Sequence, residues 1–209
     1  VRCWRGIISH QLFMRIVFVH GYKSSVSQHF WPWLSDTLKI RGHEVFAPEL
    51  PSPEAPVCQE WVEAIRKSIH RPGGDTIFIG HSIGCVALLH YLEQADMAGT
   101  PKLIILIAPP FNIESERFQT FFDPMVDFET VMWKGQEFII IHAKDDMVIP
   151  LDHAQRYEHE LNGVLKVQET GGHFNTVTEL PILLELIDDR NVEPGDSLQN
   201  DFSDINIVL

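Results

Sequence analysis

The chain has 209 residues, 44% hydrophobic and 22% charged, the make-up of one soluble globular domain large enough to bury a sizeable core. A formal net charge of -13 at pH 7 argues against nucleic acid and anionic membrane surfaces as partners, because both repel an acidic protein. Three cysteines, Cys3, Cys58 and Cys85, form an odd set without a C-x-x-C pair, which argues against a disulfide framework or zinc ribbon and points to a reducing, cytoplasmic setting.

In chain order, residues 1–13 ("VRCWRGIISHQLF") have a basic start but lack the apolar stretch and small-residue cleavage site of a signal peptide. Met14 directly precedes a strong strand pattern, so these residues read as an N-terminal extension, either an upstream addition or a misassigned start. Mass spectrometry of the native protein tests that expectation. The domain proper is expected over residues 14–188. It opens with "RIVFVH" (15–20) and continues with apolar runs at 43–48, 76–80, 102–108, 137–143 and 165–170. The strong runs are continuous rather than alternating, as in strands covered on both faces. Helix-length segments lie between them at 29–42, 58–71, 85–97, 151–161 and 179–189. Strands alternating with helices predict a three-layer α/β/α sandwich around a mostly parallel sheet, without a large cap domain. No run reaches the length of a membrane span.

Two stretches depart from the alternation. Residues 109–136 form a long aromatic-rich connection, either a segment covering a site or a plain crossover helix at 114–121 followed by a short helix. Residues 189–209 read as an acidic C-terminal tail, flexible or loosely docked around Pro194-Gly195.

The chemistry concentrates in "TIFIGHSIGCVALLHYLEQ" (76–94), where a buried strand meets an amphipathic helix and Ser82 sits at the joint within G-x-S-x-G. A serine hydroxyl is a weak nucleophile at neutral pH, so it must be exposed, held rigidly and given a base. A sharp strand-to-helix turn does the first two, with small residues two before and two after the serine, here Gly80 and Gly84. The helix start then offers the N–H of Ile83 to a developing oxyanion.

The base and its orienting acid are expected after later strands, in the order serine, acid, histidine. "EFIIIHA" runs into "KDDMVIP" and "LKVQET" into "GGHFN", so Asp146 and His173 fit those roles. Asp145 is the alternative acid; the spacing to Ile149-Pro150 favours Asp146. His81 is expected to point away from the serine, and His90, His153 and His159 to be helical residues without a catalytic part. A second oxyanion donor is expected after the first strand, where "VFVHGYKSS" offers the N–H of Tyr22 beyond His20-Gly21. Cys85 reads as small buried filler, and Phe30, Trp31, Trp33, Trp61 and Trp133 as either pocket lining or core anchors. No histidine–carboxylate spacing has the form of a metal site, and neither metal nor cofactor is expected.

With the elbow, the D-x-x-I-P segment at 146–150, the GGH at 171–173, "APELPSPEAP", Trp61 and "IAPPF" in place, the chain resembles the α/β-hydrolase superfamily. Within it the resemblance is to the small serine hydrolases related to retinoblastoma-binding protein 9, over roughly residues 14–188. It implies a Ser82–Asp146–His173 triad that cleaves a carboxylic ester, or a related acyl bond, of a small molecule through an acyl-enzyme. Two alternatives stay open: a peptidase or thioesterase, and a non-catalytic module that binds a protein partner, since members of this family are named for partner association.

Overall fold

The computed structural model describes residues 12–190. The expected extension at 1–13 and tail at 189–209 therefore fall almost wholly outside the described residues. Six strands form one sheet: β1 (Arg15–Val19), β2 (Glu44–Phe46), β3 (Thr76–His81), β4 (Leu103–Ile107), β5 (Phe138–Ala143) and β6 (Val164–Gln168). Their order is β2-β1-β3-β4-β5-β6, and every pairing is parallel. The sequence order reverses between β1 and β3, and an open parallel sheet leaves a crevice at the carboxyl ends of its strands at such a switch point.

The continuous apolar runs follow from a sheet packed on both sides. Successive side chains of a strand point to opposite faces, and here both faces are buried. Val17, Val19, Phe78, Ile104, Leu106 and Ile140 join α2 (Cys58–Ser68), α3 (Ile83–Gln94) and α6 (Leu151–Glu160) in one core. Ile16, Phe18, Ile77, Ile79, Ile105 and Ile139 join α1 (Trp31–Ile40) and α7 (Ile182–Asp188) in the other.

Local signals explain the helix limits. Pro32 sits in the first turn of α1, where its missing N–H is no loss. Gly42, at φ 87°, ends the same helix as the chain turns into β2. Near the carboxyl end of the domain Arg41, just past α1, donates to Asp188 at 2.6 Å, and Arg190 donates to Glu137 at 2.5 Å, tying α7 to the end of α1 and to the start of β5. The outer strands are blunted: β2 has three residues and β6 exposes Lys166 on its flank.

One expectation needs correction, and one of the two readings left open for residues 109–136 is not met. Helix α3 is not amphipathic: every residue from Ile83 to Leu92 is buried, because α2 and the short helices α4 (Gln119–Phe122) and α5 (Phe128–Val131) pack over the side that would otherwise face water. The connection at 109–136 has no helix spanning 114–121. It carries a 3-10 turn at Glu116–Phe118 followed by α4 and α5. Phe121 and Val131 anchor it in the core, and its Phe121 carbonyl accepts a hydrogen bond from His90 Nε2 at 3.0 Å.

Candidate active site

Ser82 occupies the turn between β3 and α3 at φ 53°, ψ -132°, in the left-handed half of backbone space that only a tightly constrained non-glycine residue adopts. Two contacts hold it there. Its N–H donates to the Ile107 carbonyl at 2.8 Å and its own carbonyl accepts from the Cys85 N–H at 2.9 Å. The flanking glycines have separate reasons. A Cβ on Gly80 would meet Cys85 Cα at 3.0 Å, the strand-to-helix crowding the motif implies. Gly84 instead faces β1, because a Cβ there would lie 2.7 Å from the Val19 carbonyl oxygen and closer still to that of His20.

The loops after β5 and β6 bring the other side chains to this turn. His173 Nε2 lies 2.9 Å from Ser82 Oγ, and His173 Nδ1 lies 2.8 Å from Asp146 Oδ2. The remaining oxygen of Asp146 accepts from the N–H groups of Val148 at 2.8 Å and Ile149 at 3.0 Å. Burial pushes the Asp146 carboxyl up, but hydrogen bonds from His173 and from these two N–H groups outweigh it and hold the group below the ordinary carboxylate value. Asp145 is exposed and accepts from the Gly172 N–H at 2.8 Å, so it braces the histidine loop without touching the ring. Of the two adjacent acids, Asp146 is the one beside the imidazole.

Tyr22 and Ile83 both border the cleft that Ser82 and His173 open into. Ile83 is the first residue of α3, so its N–H has no acceptor within the helix. The loop carrying Tyr22 is fixed by a Lys23 N–H to Pro53 carbonyl bond of 3.0 Å. The cleft measures about 440 Å³; Ile113, Phe118 and Val148 supply apolar wall, while His29, Asn175 and Thr176 add polar groups. The Tyr22 ring meets Phe118 edge-on at 5.2 Å and carries Lys23 and Arg117 over its ring at 5.4 and 5.3 Å, a basic rim on an acidic protein. A more open depression of about 630 Å³ over Asn112 to Asp123 has a serine, Ser115, but no histidine among its lining residues.

Other candidates take structural places. Phe30, Trp31 and Trp61 are fully buried anchors, Trp33 packs half-buried beside the first two, and Trp133 is exposed. Cys85 is buried, which raises its thiol well above the ordinary value. His90 bonds Glu93 as well as Phe121, and the Phe111 N–H donates to His153 Nδ1 at 2.9 Å. Among the described residues no group of three metal-ligating side chains occurs, and no helix is long and apolar enough to cross a membrane.

His81 does point away from the serine, but not into idle space. Its Nε2 meets the main-chain carbonyl of His173 at 2.8 Å. His142, which sequence reasoning passed over, is fully buried on β5; its Nε2 meets the Ile149 carbonyl at 2.9 Å and lies 3.6 Å from Asp146 Oδ2. The signal was present in "EFIIIHA": a histidine inside an otherwise apolar core strand has to satisfy its nitrogens somewhere.

A parallel six-stranded sheet in this order, with a strained serine at the end of its third strand and a histidine and acid from later loops, defines an α/β-hydrolase fold. The serine hydrolase family model matches residues 16–182, and the chain belongs to that family. It is similar to the putative hydrolase YdeN of Bacillus subtilis (strain 168), 26% identical over 182 residues that cover 83% of this chain and 94% of that protein. The serine hydrolase RBBP9 of Rattus norvegicus is 26% identical over 166 residues, covering 78% of this chain and 87% of the relative. The crystal structure of the ydeN gene product superposes with a TM-score of 0.76 at 24% identity, covering 85% of this chain and 98% of the other. Polyneuridine aldehyde esterase shares the fold at a TM-score of 0.59 and 12% identity, covering 85% and 99%.

Proposed function

We propose that the protein hydrolyses carboxylic esters of small molecules by two-step acyl transfer. The observation that carries this reading is the unbroken hydrogen-bond chain Ser82 Oγ, His173, Asp146 at the floor of a partly apolar cleft. Asp146 accepts from Nδ1–H of His173 and leaves Nε2 as the basic nitrogen facing the serine. His173 takes the Ser82 proton as Oγ attacks the ester carbonyl, and the N–H groups of Tyr22 and Ile83 receive the oxyanion. The protonated imidazole gives its proton to the leaving alcohol; water, deprotonated by the same ring, then releases the acid and restores Ser82.

The ester preference is supported by the apolar wall of Ile113, Phe118 and Val148 and by the absence of any carboxylate among the described residues bordering the cleft, which leaves no counter-charge for the free α-amine of a peptide. The test is a fluorophosphonate probe together with p-nitrophenyl esters of rising chain length and aminoacyl amides. Labelling of wild type but not Ser82→Ala, with ester turnover exceeding amide turnover, is expected. Faster amide or thioester cleavage would move the assignment to a peptidase or thioesterase. A folded protein that neither labels nor turns over would make the chain a binding module on a hydrolase fold.

A further inference from the structure

The catalytic ring must be held by something other than its own loop. Residues 171–174 make a tight turn in which Gly171 and Gly172 take φ of 148° and 54° freely as glycines, whereas Phe174 is held at φ 55°, where a residue with a side chain is strained. Such a turn relaxes unless its surroundings fix it. Beside the exposed Asp145 bond to the Gly172 N–H, the buried contact that fixes it is the His81 Nε2 to His173 carbonyl bond at 2.8 Å, made from the residue directly before the serine. The acid loop has the same arrangement. Ile149 gives its N–H to Asp146, and its carbonyl meets His142 Nε2 at 2.9 Å.

We propose that His81 and His142 are positioning residues that place His173 and Asp146 by donating Nε2–H to a main-chain carbonyl of the loop that carries each. Because the inference concerns how the triad is held, it rests on the hydrolytic reading above.

The chemistry selects histidine. A carbonyl only accepts, so each Nε2 carries the hydrogen, and in the neutral ring each Nδ1 is a bare lone pair. Both Nδ1 atoms are buried and without a hydrogen-bond partner among the described residues, which leaves the Nε2–H bond as the hydrogen bond each ring makes there. Lysine or arginine could also donate, but would set a permanent positive charge near His173, whose ring centroid is 5.2 Å from that of His81. Such a charge opposes formation of the imidazolium that acyl transfer requires. Burial, reinforced by the neighbouring His173, pushes His81 down to about 3, so it donates without charge. Serine or threonine is too short to span from the strand to the loop. Phe30 meets the His81 ring edge-on at 6.0 Å and confines its rotation.

The experiment compares wild type with His81→Leu, His81→Gln and His81→Asn, and with His142→Leu and His142→Gln, in the full chain. Active sites are titrated with a fluorophosphonate, kcat and KM are measured on p-nitrophenyl butyrate, and fold is followed by circular dichroism. Glutamine carries its amide near the place of Nε2, asparagine near that of Nδ1. With a misplacement of about 1 Å at a reacting group lowering rate on the order of 100-fold, kcat per titrated site is expected to fall at least about 30-fold in the leucine variants. KM should stay within roughly threefold, and glutamine should recover most of the loss. Equal kcat per site in wild type and folded leucine variants overturns the proposal. Should the leucine variants not fold, the His81 pair decides: glutamine well above asparagine supports it, and equal rates overturn it. The ring 15N spectrum of wild type at pH 7 is expected to show His81 with the hydrogen on Nε2; the opposite tautomer overturns the proposal whatever the protein hydrolyses. A wild type inert toward both probe and esters removes the hydrolytic reading itself, a result distinct from an active wild type matched by its variants.

Discussion

Gly84 of the elbow is held against the main-chain carbonyl of His20, not against its own strand. A Cβ at position 84 would overlap the oxygens of His20 and Val19, and backbone atoms at a strand end cannot swing aside as a side chain does. Gly84→Ala is therefore expected to lower stability by about 3 kcal/mol or more, or to prevent folding. Gly42→Ala is the contrast. Its φ of 87° is strained for alanine but nothing lies within 4 Å of the new methyl, so about 1 kcal/mol is expected. Urea titrations of the two variants measure the difference.

Asp146 and Asp145 are neighbours with unequal parts. Asp146→Asn removes the acceptor 2.8 Å from His173 Nδ1 and is expected to lower kcat on the order of 10⁴-fold by presenting the wrong tautomer. Asp145→Asn keeps an acceptor for the Gly172 N–H and should stay within about tenfold of wild type. Steady-state kinetics on one activated ester tests both, and equal losses would contradict the assignment of the acid.

Acid should destabilise the fold well above the carboxylate range. Burial lowers His20, His81 and His142 in the folded protein, His81 from 6.5 to about 3. The unfolded chain binds protons to these rings first, so their contribution is complete above about pH 6.5 and is lost as pH falls through each ring's depressed value, for His81 down to about 3. Each group that charges only on unfolding adds a slope of about 1.4 kcal/mol per pH unit within its window. Asp146 has the same sign, its contribution lost only as pH falls through its own depressed value. Urea midpoints between pH 7 and pH 4 should fall steadily, and His81→Gln should flatten the curve. A midpoint constant over that range would contradict the neutral burial of these rings.

Much of this was legible in the sequence. The ends of the six strands fall within two residues of the expected runs; the four inner strands, buried on both faces, write themselves as unbroken apolar segments, while β2 and β6 are the weaker, more exposed ones. Ser82, Asp146 and His173 could be singled out because each follows a strand at a turn rich in glycine or acid. The role of His81 was not legible, since the carbonyl it reaches belongs to a loop 92 residues away; His142 reaches a carbonyl only seven residues on, and its place inside an apolar strand was the signal that it must find a partner. The all-round burial of α3 was hidden for a related reason. It depends on α4 and α5, whose four-residue lengths are too short to leave a periodic signal.

The aromatic connection supplies part of the cleft wall. Phe118 lies against the Tyr22 ring and borders the cleft, so Phe118→Ala is expected to enlarge the acyl side. The ratio of kcat/KM for p-nitrophenyl octanoate to that for the butyrate should rise roughly fivefold, a modest change in keeping with a half-buried wall. An unchanged ratio would place the acyl chain elsewhere.

Lys23, Ser82 and Phe174, all at positive φ without being glycine, belong to the loops that converge on the cleft. Tension of this kind is borne by the surrounding sheet, so catalytic competence and resistance to denaturation pull in opposite directions here. Glycine at position 174 would relieve the turn and free the chain to drift, and selection for heat tolerance alone would tend to slacken the loops that carry the chemistry. Thermostable variants of this protein are better sought in the far ends of α1, α2 and α7, where rigidity can be added without disturbing the stressed rim.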